Sequence, residues 1–271
     1  MPRLVIEANR PSLGYWADLY RYRELLYFLA WRDVLVRYKQ TAIGVAWAVI
    51  RPLLVMLVLW FVFGRLAKLP AGDTPYPIVV LAAVLPWQFF AVALGESSTS
   101  LVANAGLVSK VYFPRILLPI GAVLVSLIDF VISLSLLGVV MAVLSYAPTW
   151  RMLSLPLFTL LGLLAALGPG LLVTTLNVRF RDFRYVIPFV VQFGLYISPV
   201  GFRTDVVPEK WRLLYSLNPM VGVIDGFRWA ICREETLYLP GFACSLAVTA
   251  VTLALGVTYF RRTERTFADI I

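Results

Sequence analysis

The amino-acid sequence predicts an all-α integral membrane protein with six transmembrane helices. Hydrophobic residues make up 61% of the 271 residues and charged residues only 14%. Soluble domains are instead roughly half apolar and a quarter charged. The apolar residues also gather into six long stretches, and most of the connectors between them are too short to form a second domain. We therefore treat residues 1–271 as a single transmembrane domain.

The six stretches are read as helices because a span must cross about 30 Å of hydrocarbon at about 1.5 Å per helical residue. An isolated span in lipid satisfies its own backbone hydrogen bonds, and no stretch shows the apolar and polar alternation of a barrel strand. The fifth is short and carries Pro188 and Pro199, so we expect it to start or end irregularly. The predicted spans lie near residues 43–64, 77–95, 116–144, 154–176, 185–201 and 239–260.

The distribution of Lys and Arg predicts the orientation of the spans. With six spans both termini lie on one side, and that side holds fifteen basic residues against eight on the other, with Arg51 inside a span. Cytoplasmic connectors carry the excess of basic residues, so both termini are predicted to be cytoplasmic. This topology accounts for the net charge of +9, and the sequence gives no reason to invoke nucleic acid.

Composition excludes several kinds of catalytic site. The chain has no histidine, and its two cysteines, Cys232 and Cys244, are not in a CxxC spacing. Metal clusters of the Cys/His type and His-based acid and base catalysis are therefore excluded. None of the four lysines follows a glycine, so the chain has no Walker A loop for binding ATP.

Residues 16–39, before the first span, place aromatic side chains along one side of a helix. At about 100° per residue, these side chains fall within a narrow arc opposite a charged face. Tyr and Trp prefer the level of the lipid headgroups, which predicts a helix lying in the membrane interface. The alternative is a helix that packs on the protein's own spans, and both can hold at once. The stripe consists of Trp16, Tyr20, Tyr27, Trp31 and Tyr38.

Three ionisable residues, Arg51, Glu96 and Asp129, lie at or near membrane depth. Each costs on the order of 2.5 to 3.5 kcal/mol at the centre of a span, so such residues usually face a partner or water. Arg51 could instead extend to the cytoplasmic surface. Asp129 shares a helix face with Ser126 and Ser133, so we expect it to face the bundle.

Short signatures recur in order around these spans. In their order and spacing around six spans, these signatures resemble those of the membrane subunit of type-2 ABC exporters for polysaccharides, the group that exports O-antigen, capsular polysaccharide and teichoic acid. The resemblance covers nearly the whole chain. The signatures are Arg37-Tyr38-Lys39-Gln40 followed by Ile43-Gly44, Trp47 and Pro52; Asn104, Leu107-Val108, Lys110 and Phe113-Pro114-Arg115 to Leu118-Pro119; Arg179 and Arg181-Asp182; Asn218-Pro219-Met220 to Arg228; and Phe260 to Glu264 with Phe267-Ala268-Asp269.

The resemblance implies a homodimeric permease in a bacterial cytoplasmic membrane, paired with two copies of a separate ATP-binding subunit. That subunit would hold ATP and Mg²⁺ and hydrolyse the ATP, while this chain binds no cofactor and is not an enzyme. The substrate would be a lipid-linked polysaccharide. A type-2 ABC permease for a drug or a lipid is the alternative, and a membrane-embedded enzyme or a proton-coupled carrier is a more distant one.

The same resemblance implies two local structures outside the spans. A coupling helix at about 101–115 would contact the ATP-binding subunit through Asn104, Lys110, Phe113 and Arg115. Two short re-entrant helices would lie in the last external loop, at about 205–232. The apolar part of that loop is broken by Asn218-Pro219 and is too interrupted to span, although an ordinary folded loop is the alternative.

A glycan conduit should be rich in aromatic side chains, because their faces pack on the C–H faces of sugars. Aromatic residues make up 14% of the chain, and many of them must belong to the core or the membrane interface. The candidates for lining a channel are Trp47, Trp87, Phe90 and Tyr196. The alternative is a more polar conduit that uses Gln88, Glu96 and Asp129.

Overall fold

The computed structural model describes residues 12–39, 44–68, 72–180, 182–233 and 236–267, and all regular structure in these ranges is helical. The signature residues Gln40, Ile43, Arg181, Ala268 and Asp269 lie outside them. Short 3₁₀ turns at Trp150–Ser154, Thr204–Val206 and Glu264–Thr266 accompany the longer elements. The helices are α1 Ser12–Arg21, α2 Arg23–Lys39, α3 Ala46–Leu59 with a π-helical continuation Trp60–Leu66, α4 Tyr76–Ala103, α5 Ala105–Lys110, α6 Leu117–Val143, α7 Leu155–Arg179, α8 Phe183–Ile197, α9 Glu209–Tyr215, α10 Pro219–Ile231 and α11 Leu239–Thr263.

Five helical segments in the described ranges are long and apolar enough to cross a membrane. They correspond to the first four predicted spans and the sixth. The predicted fifth span, 185–201, is wrong in its bounds, because α8 has 15 residues and ends at Ile197. The end of α8 follows from Pro199: the residue before a proline is driven out of the helical region, and Ser198 is extended with ψ 153°. The five segments are Ala46–Leu66, Tyr76–Ala103, Leu117–Val143, Trp150–Arg179 and Leu239–Thr266.

The helix predicted over 16–39 is also corrected, because it begins at Ser12 and is interrupted at Tyr22, between α1 and α2. Four of the five stripe residues are exposed, and Tyr38 is partly buried: Tyr20 and Tyr27 are 69% and 63% accessible, and Tyr27 stacks on Trp31 with ring centres 6.4 Å apart. A different side, with Leu29 at its centre, packs on the rest of the chain. The alternative of packing on the protein's own helices is therefore confirmed, and the location of the stripe in the membrane interface stays a prediction.

α4 forms the centre of the bundle, with seventeen of its 28 residues buried against α3, α6, α7 and α10. Hydroxyl and amide groups join α4 to α7: Thr174 donates to the carbonyl of Ser97 at 2.7 Å and Asn177 to that of Ser98 at 2.8 Å. α7 and α11 approach closely through Gly168 and Gly256. A Cβ on Gly256 would lie 2.3 Å from the Gly168 carbonyl oxygen, so this crossing requires glycine.

A second apolar core ties the ends of several helices together around Phe113 and Phe260. Glu264, just after α11, fixes the connector between α5 and α6, because its carboxylate accepts from the Arg115 backbone N–H at 2.5 Å. The same carboxylate accepts from the Tyr15 hydroxyl at 3.0 Å. Burial, reinforced by Glu264, raises the pKa of Tyr15 and keeps that hydroxyl protonated. We call this second core the junction core.

The region between α8 and α11 contains two short helices, α9 and α10. Asn218 caps α10 by accepting from the Met220 N–H at 3.0 Å, and ten of the thirteen α10 residues are buried. Arg228 on α10 is 2% exposed and donates to the Phe202 carbonyl at 2.8 Å. α10 is therefore built into the bundle, whereas no residue of α9 is buried.

Candidate functional site: a polar cleft between α2, α3, α4 and α6

A cleft of about 300 Å³ opens between α3, α4 and α6, and the end of α2 closes one side of it. All three ionisable residues predicted at membrane depth, Arg51, Glu96 and Asp129, lie on its walls. Its lining is Arg37, Tyr38, Gly44, Trp47, Ala48, Arg51, Leu85, Gln88, Phe89, Val92, Glu96, Ser126, Asp129, Phe130 and Ser133.

Pro52 and Ser133 explain how α3 and α6 join at this cleft. Pro52 lies inside α3 and has no N–H, so the carbonyl of Ala48, four residues earlier, loses its helical partner. The Ser133 hydroxyl lies 2.7 Å from that carbonyl oxygen and 2.7 Å from the carbonyl of Asp129 on its own helix. A freed backbone group within a span must be satisfied by a neighbouring helix, and Ser133 does this while placing Asp129 beside α3.

Arg37, near the end of α2, joins the two acidic walls of the cleft. Its guanidinium contacts Glu96 on α4 at 2.6 Å and also pairs with Asp129 on α6. The neighbouring Tyr38 hydroxyl donates to the same Asp129 carboxylate. Burial is the main cause that raises the pKa of Tyr38, and the Asp129 carboxylate adds to it, so Tyr38 remains a donor.

Arg51 has a different role from Arg37. It is exposed on α3 within the cleft, and no side chain among the described residues pairs with it. Trp47, 45% exposed, lies one turn before it on the same face of α3. The walls thus carry two cations and two carboxylates, together with an indole, hydroxyls and the Gln88 amide, and this set suits a hydroxyl-rich ligand with no large net charge.

The four aromatic residues predicted to line a channel lie in three different places. Trp47 is on the cleft. Trp87 is 5% exposed and packs against α8 at Gly194, with the Phe90 ring 5.5 Å from its own. Tyr196 is 70% exposed on α8. The structure therefore brings only Trp47 together with Gln88, Glu96 and Asp129, the residues of the predicted polar conduit.

Sequence reasoning singled out Tyr196 on α8 but missed that it belongs to a row of four aromatic side chains. They recur at i, i+4, i+8 and i+11, which places them on one face of the helix, and all are exposed by more than half of their surface. Phe189 and Phe193 stack with ring centres 5.9 Å apart. The spacing was visible in the sequence. We call this row, Tyr185, Phe189, Phe193 and Tyr196, the α8 aromatic row.

The four residues predicted to contact an ATP-binding subunit also lie in different surroundings. Lys110 is exposed at the end of α5, followed by exposed Val111 and Tyr112, which the sequence reading did not single out. Phe113 is buried in the junction core, and Arg115 is held by Glu264. The fourth residue joins α4 to α2, because Asn104 accepts from the Arg32 guanidinium at 2.8 Å.

Comparison with known proteins adds evidence that the geometry alone does not provide. Residues 24–232 match the model of the ABC-2 type transporter family. The chain is 26% identical over 261 residues to an O-antigen export system permease protein RfbA of Klebsiella pneumoniae, covering 96% of this chain and 97% of that protein. It is 28% identical over 259 residues to RfbA of Myxococcus xanthus, covering 94% and 98%. It is 24% identical over 241 residues to the polysialic acid transport protein KpsM of Escherichia coli, covering 86% and 91%. A family match over most of the chain, together with membrane-length helices around a polar cleft, shows that this protein belongs to the ABC-2 type transporter family.

Proposed function

We propose that this chain is the transmembrane subunit of an ATP-driven exporter that moves a lipid-linked polysaccharide across the cytoplasmic membrane of a bacterium. The observation that carries the proposal is the match, over nearly the whole chain, to relatives named for O-antigen export and polysialic acid transport. A permease for a drug or a lipid receives no support from these relatives. The mixed lining of the polar cleft and the α8 aromatic row also suit sugars, which present both hydroxyls and C–H faces.

The proposed assembly is a homodimer with two copies of an ATP-binding subunit that hydrolyse the ATP. In it, α8 is the short fifth span, α9 and α10 form a re-entrant pair on the outer side, and both termini are cytoplasmic. The excess of basic residues on the side of the termini supports this orientation. The burial of α10 within the bundle suits a half-inserted pair, since its backbone is satisfied by protein.

One face of α3 is the proposed wall of the conduit. Trp47, Arg51, Leu54 and Val58 recur at i, i+4, i+7 and i+11, and all four are exposed. A cation within a span is costly against lipid, so the face that carries Arg51 should meet water or protein. We call these four residues the exposed α3 face, and we propose that it and the α8 aromatic row border the path of the glycan.

The decisive experiment deletes the chromosomal gene, supplies it again on a plasmid, and measures polysaccharide at the cell surface of both strains. Removing the chain should leave lipid-linked polymer inside the cell, and the plasmid copy should restore export. The purified chain should hydrolyse no ATP until the ATP-binding subunit is added. Normal surface polysaccharide in the deletion strain, or accumulation of a drug or a lipid in place of polymer, would contradict the proposal.

Variants of Lys110 and Arg115 distinguish a residue that contacts the ATP-binding subunit from a residue that supports the fold. Lys110→Glu reverses an exposed charge without breaking a contact within the described chain, so we expect export to fall while folded permease stays abundant. Arg115→Glu places a carboxylate beside Glu264 and should instead lower abundance. Export and immunoblots of both variants distinguish the two roles. Normal export by Lys110→Glu would argue against a coupling role for this residue.

The orientation is tested with single cysteines at two exposed positions, after Cys232 and Cys244 have been replaced by alanine. Ser109→Cys lies on α5 and Glu209→Cys on α9. An impermeant thiol reagent applied to intact cells should label the second and not the first. Labelling of both positions, or of Ser109→Cys alone, would contradict the orientation.

A further inference from the structure

We propose that Arg37 is a positioning residue that makes the end of α2 and the walls of the polar cleft move as one body during transport. The inference rests on the proposed function, and it concerns how displacement of the amphipathic segment reaches the conduit. Nothing in the signature Arg37-Tyr38-Lys39 distinguishes the two cations from each other. The structure does, because Arg37 alone of the two lines the cleft.

The contacts of Arg37 join three helices. Its two terminal nitrogens face carboxylates on different spans, with Glu96 on α4 at 2.6 Å and Asp129 on α6. The planar guanidinium donates in two directions at fixed geometry, whereas a lysine ammonium acts as a single point charge. The Arg37 and Asp129 side chains are 26% and 22% exposed, so water screens this pair less than it screens a surface pair, whereas the Glu96 side chain is 49% exposed and its pair with Arg37 is more strongly screened.

Two further contacts make this link stiff. The adjacent Tyr38 hydroxyl donates to Asp129, so successive residues of α2 bind one carboxylate. Farther along the same helix, the Leu26 side chain packs beside Gly121 of α6, with its nearest atom 3.6 Å from where a Cβ on that glycine would lie. α2 is therefore attached to α6 at two points more than two turns apart, and it cannot shift without carrying α6 or breaking the ionic contacts.

Glu96 and Asp129 face Arg37 and the cavity at once. Anything that displaces α2 therefore changes the position or the pairing of two cleft residues, and occupancy of the cleft must act back on α2 by the same free energy. The amphipathic segment is thus a transmission element and not only an anchor on the membrane surface.

Arg37→Gln tests the proposal, with Lys39→Gln as the matched control. Lys39 is an exposed cation at the same end of α2 and has no partner among the described residues. The variants are expressed together with the ATP-binding subunit, and export per folded permease and ATP hydrolysis by the purified complex are both measured. We expect Arg37→Gln to keep its ATP hydrolysis and to lose about tenfold in export, the factor that corresponds to the loss of one charge-assisted hydrogen bond. Lys39→Gln should match the parent in both measurements.

A charge exchange keeps the test decisive even if Arg37→Gln folds poorly. Arg37→Asp alone should be the worst variant, and adding Asp129→Arg should recover much of its export, because the cation and the carboxylate then meet again from opposite helices. Tyr38→Phe, which removes one hydroxyl, should lower export per folded permease more mildly. The inference would be overturned if Arg37→Gln exported as well as the parent, or if Lys39→Gln lost as much export as Arg37→Gln. It would also be overturned if export and ATP hydrolysis fell together in Arg37→Gln, or if adding Asp129→Arg to Arg37→Asp restored no export. Absence of polysaccharide export from the parent complex would instead overturn the proposed function.

Discussion

The first two spans have the same mean hydropathy, 2.2, but the first is mostly exposed in the molecule and the second is mostly buried. The first span is Ala46–Leu66, and 11% of the residues in its most apolar stretch are buried within the chain. The second span is Tyr76–Ala103, and 72% of the residues in its most apolar stretch are buried. Hydropathy measures transfer from water into any apolar surrounding, so it does not distinguish lipid from protein. The distinction comes from other signals: α4 contains small residues such as Ala82 and Ala83 that allow close packing, whereas α3 presents an arginine on an open face.

The two spans should differ most in the stability lost when a leucine on each is replaced by alanine. Leu81→Ala on α4 removes a side chain with 0% exposure, leaves a cavity and should cost about 2–5 kcal/mol of stability. Leu54→Ala on α3 removes one that is 54% exposed and should change stability by no more than about 0.5 kcal/mol. Thermal unfolding of the purified permease and the amount of folded protein in membranes measure both. A comparable loss for Leu54→Ala would mean that protein packs tightly on the exposed α3 face and leaves no water-filled path beside it.

The extent of α4 shows where sequence reasoning failed. The predicted second span, 77–95, ends just before the polar segment Glu96-Ser97-Ser98-Thr99-Ser100. The helix continues to Ala103, because serine hydroxyls there bond to carbonyls of their own helix: Ser98 donates to Gly95 at 2.6 Å and Ser100 to Ser97 at 2.8 Å. Polar residues ended the hydrophobic stretch but not the helix.

The site was only partly predictable for a related reason. The cost of a charge at membrane depth singled out Arg51, Glu96 and Asp129, and all three lie on one cleft. Arg37 was visible only as part of a signature, because it lies 59 residues from Glu96 and 92 from Asp129 along the chain. The periodicity of residues within one helix does not indicate which helices are neighbours. Contacts between residues so far apart in the sequence therefore become visible only in the folded structure.

A smaller effect, on transport and not on stability, should follow changes on α8. Phe189→Ala removes an exposed ring from the α8 aromatic row and should lower export per folded permease roughly two- to tenfold, if each ring contributes as an aromatic contact does. Val190→Ala is the control, because Val190 is similarly exposed at 49% but lies on a different side of the helix. Quantitative surface polysaccharide, divided by folded permease, reports the difference. Equal export by the two variants would place the row against lipid.

The smallest perturbation compares two valines with nearly identical exposure. Val58 on α3 and Val251 on α11 are 60% and 58% exposed in the single chain, and replacing either with cysteine should hardly affect stability. The faces differ in charge, since the exposed α3 face carries Arg51 within the span, whereas the α11 charges lie in its last turn. A face with a cation at membrane depth should meet a second copy or water, while an uncharged face can meet lipid. In a background with Cys232 and Cys244 replaced by alanine, a short bifunctional thiol reagent should therefore link Val58→Cys into a dimer and leave Val251→Cys monomeric on a denaturing gel. The reverse pattern would move the contact between copies to α11, and Arg51 would then border a water-filled space instead of a partner.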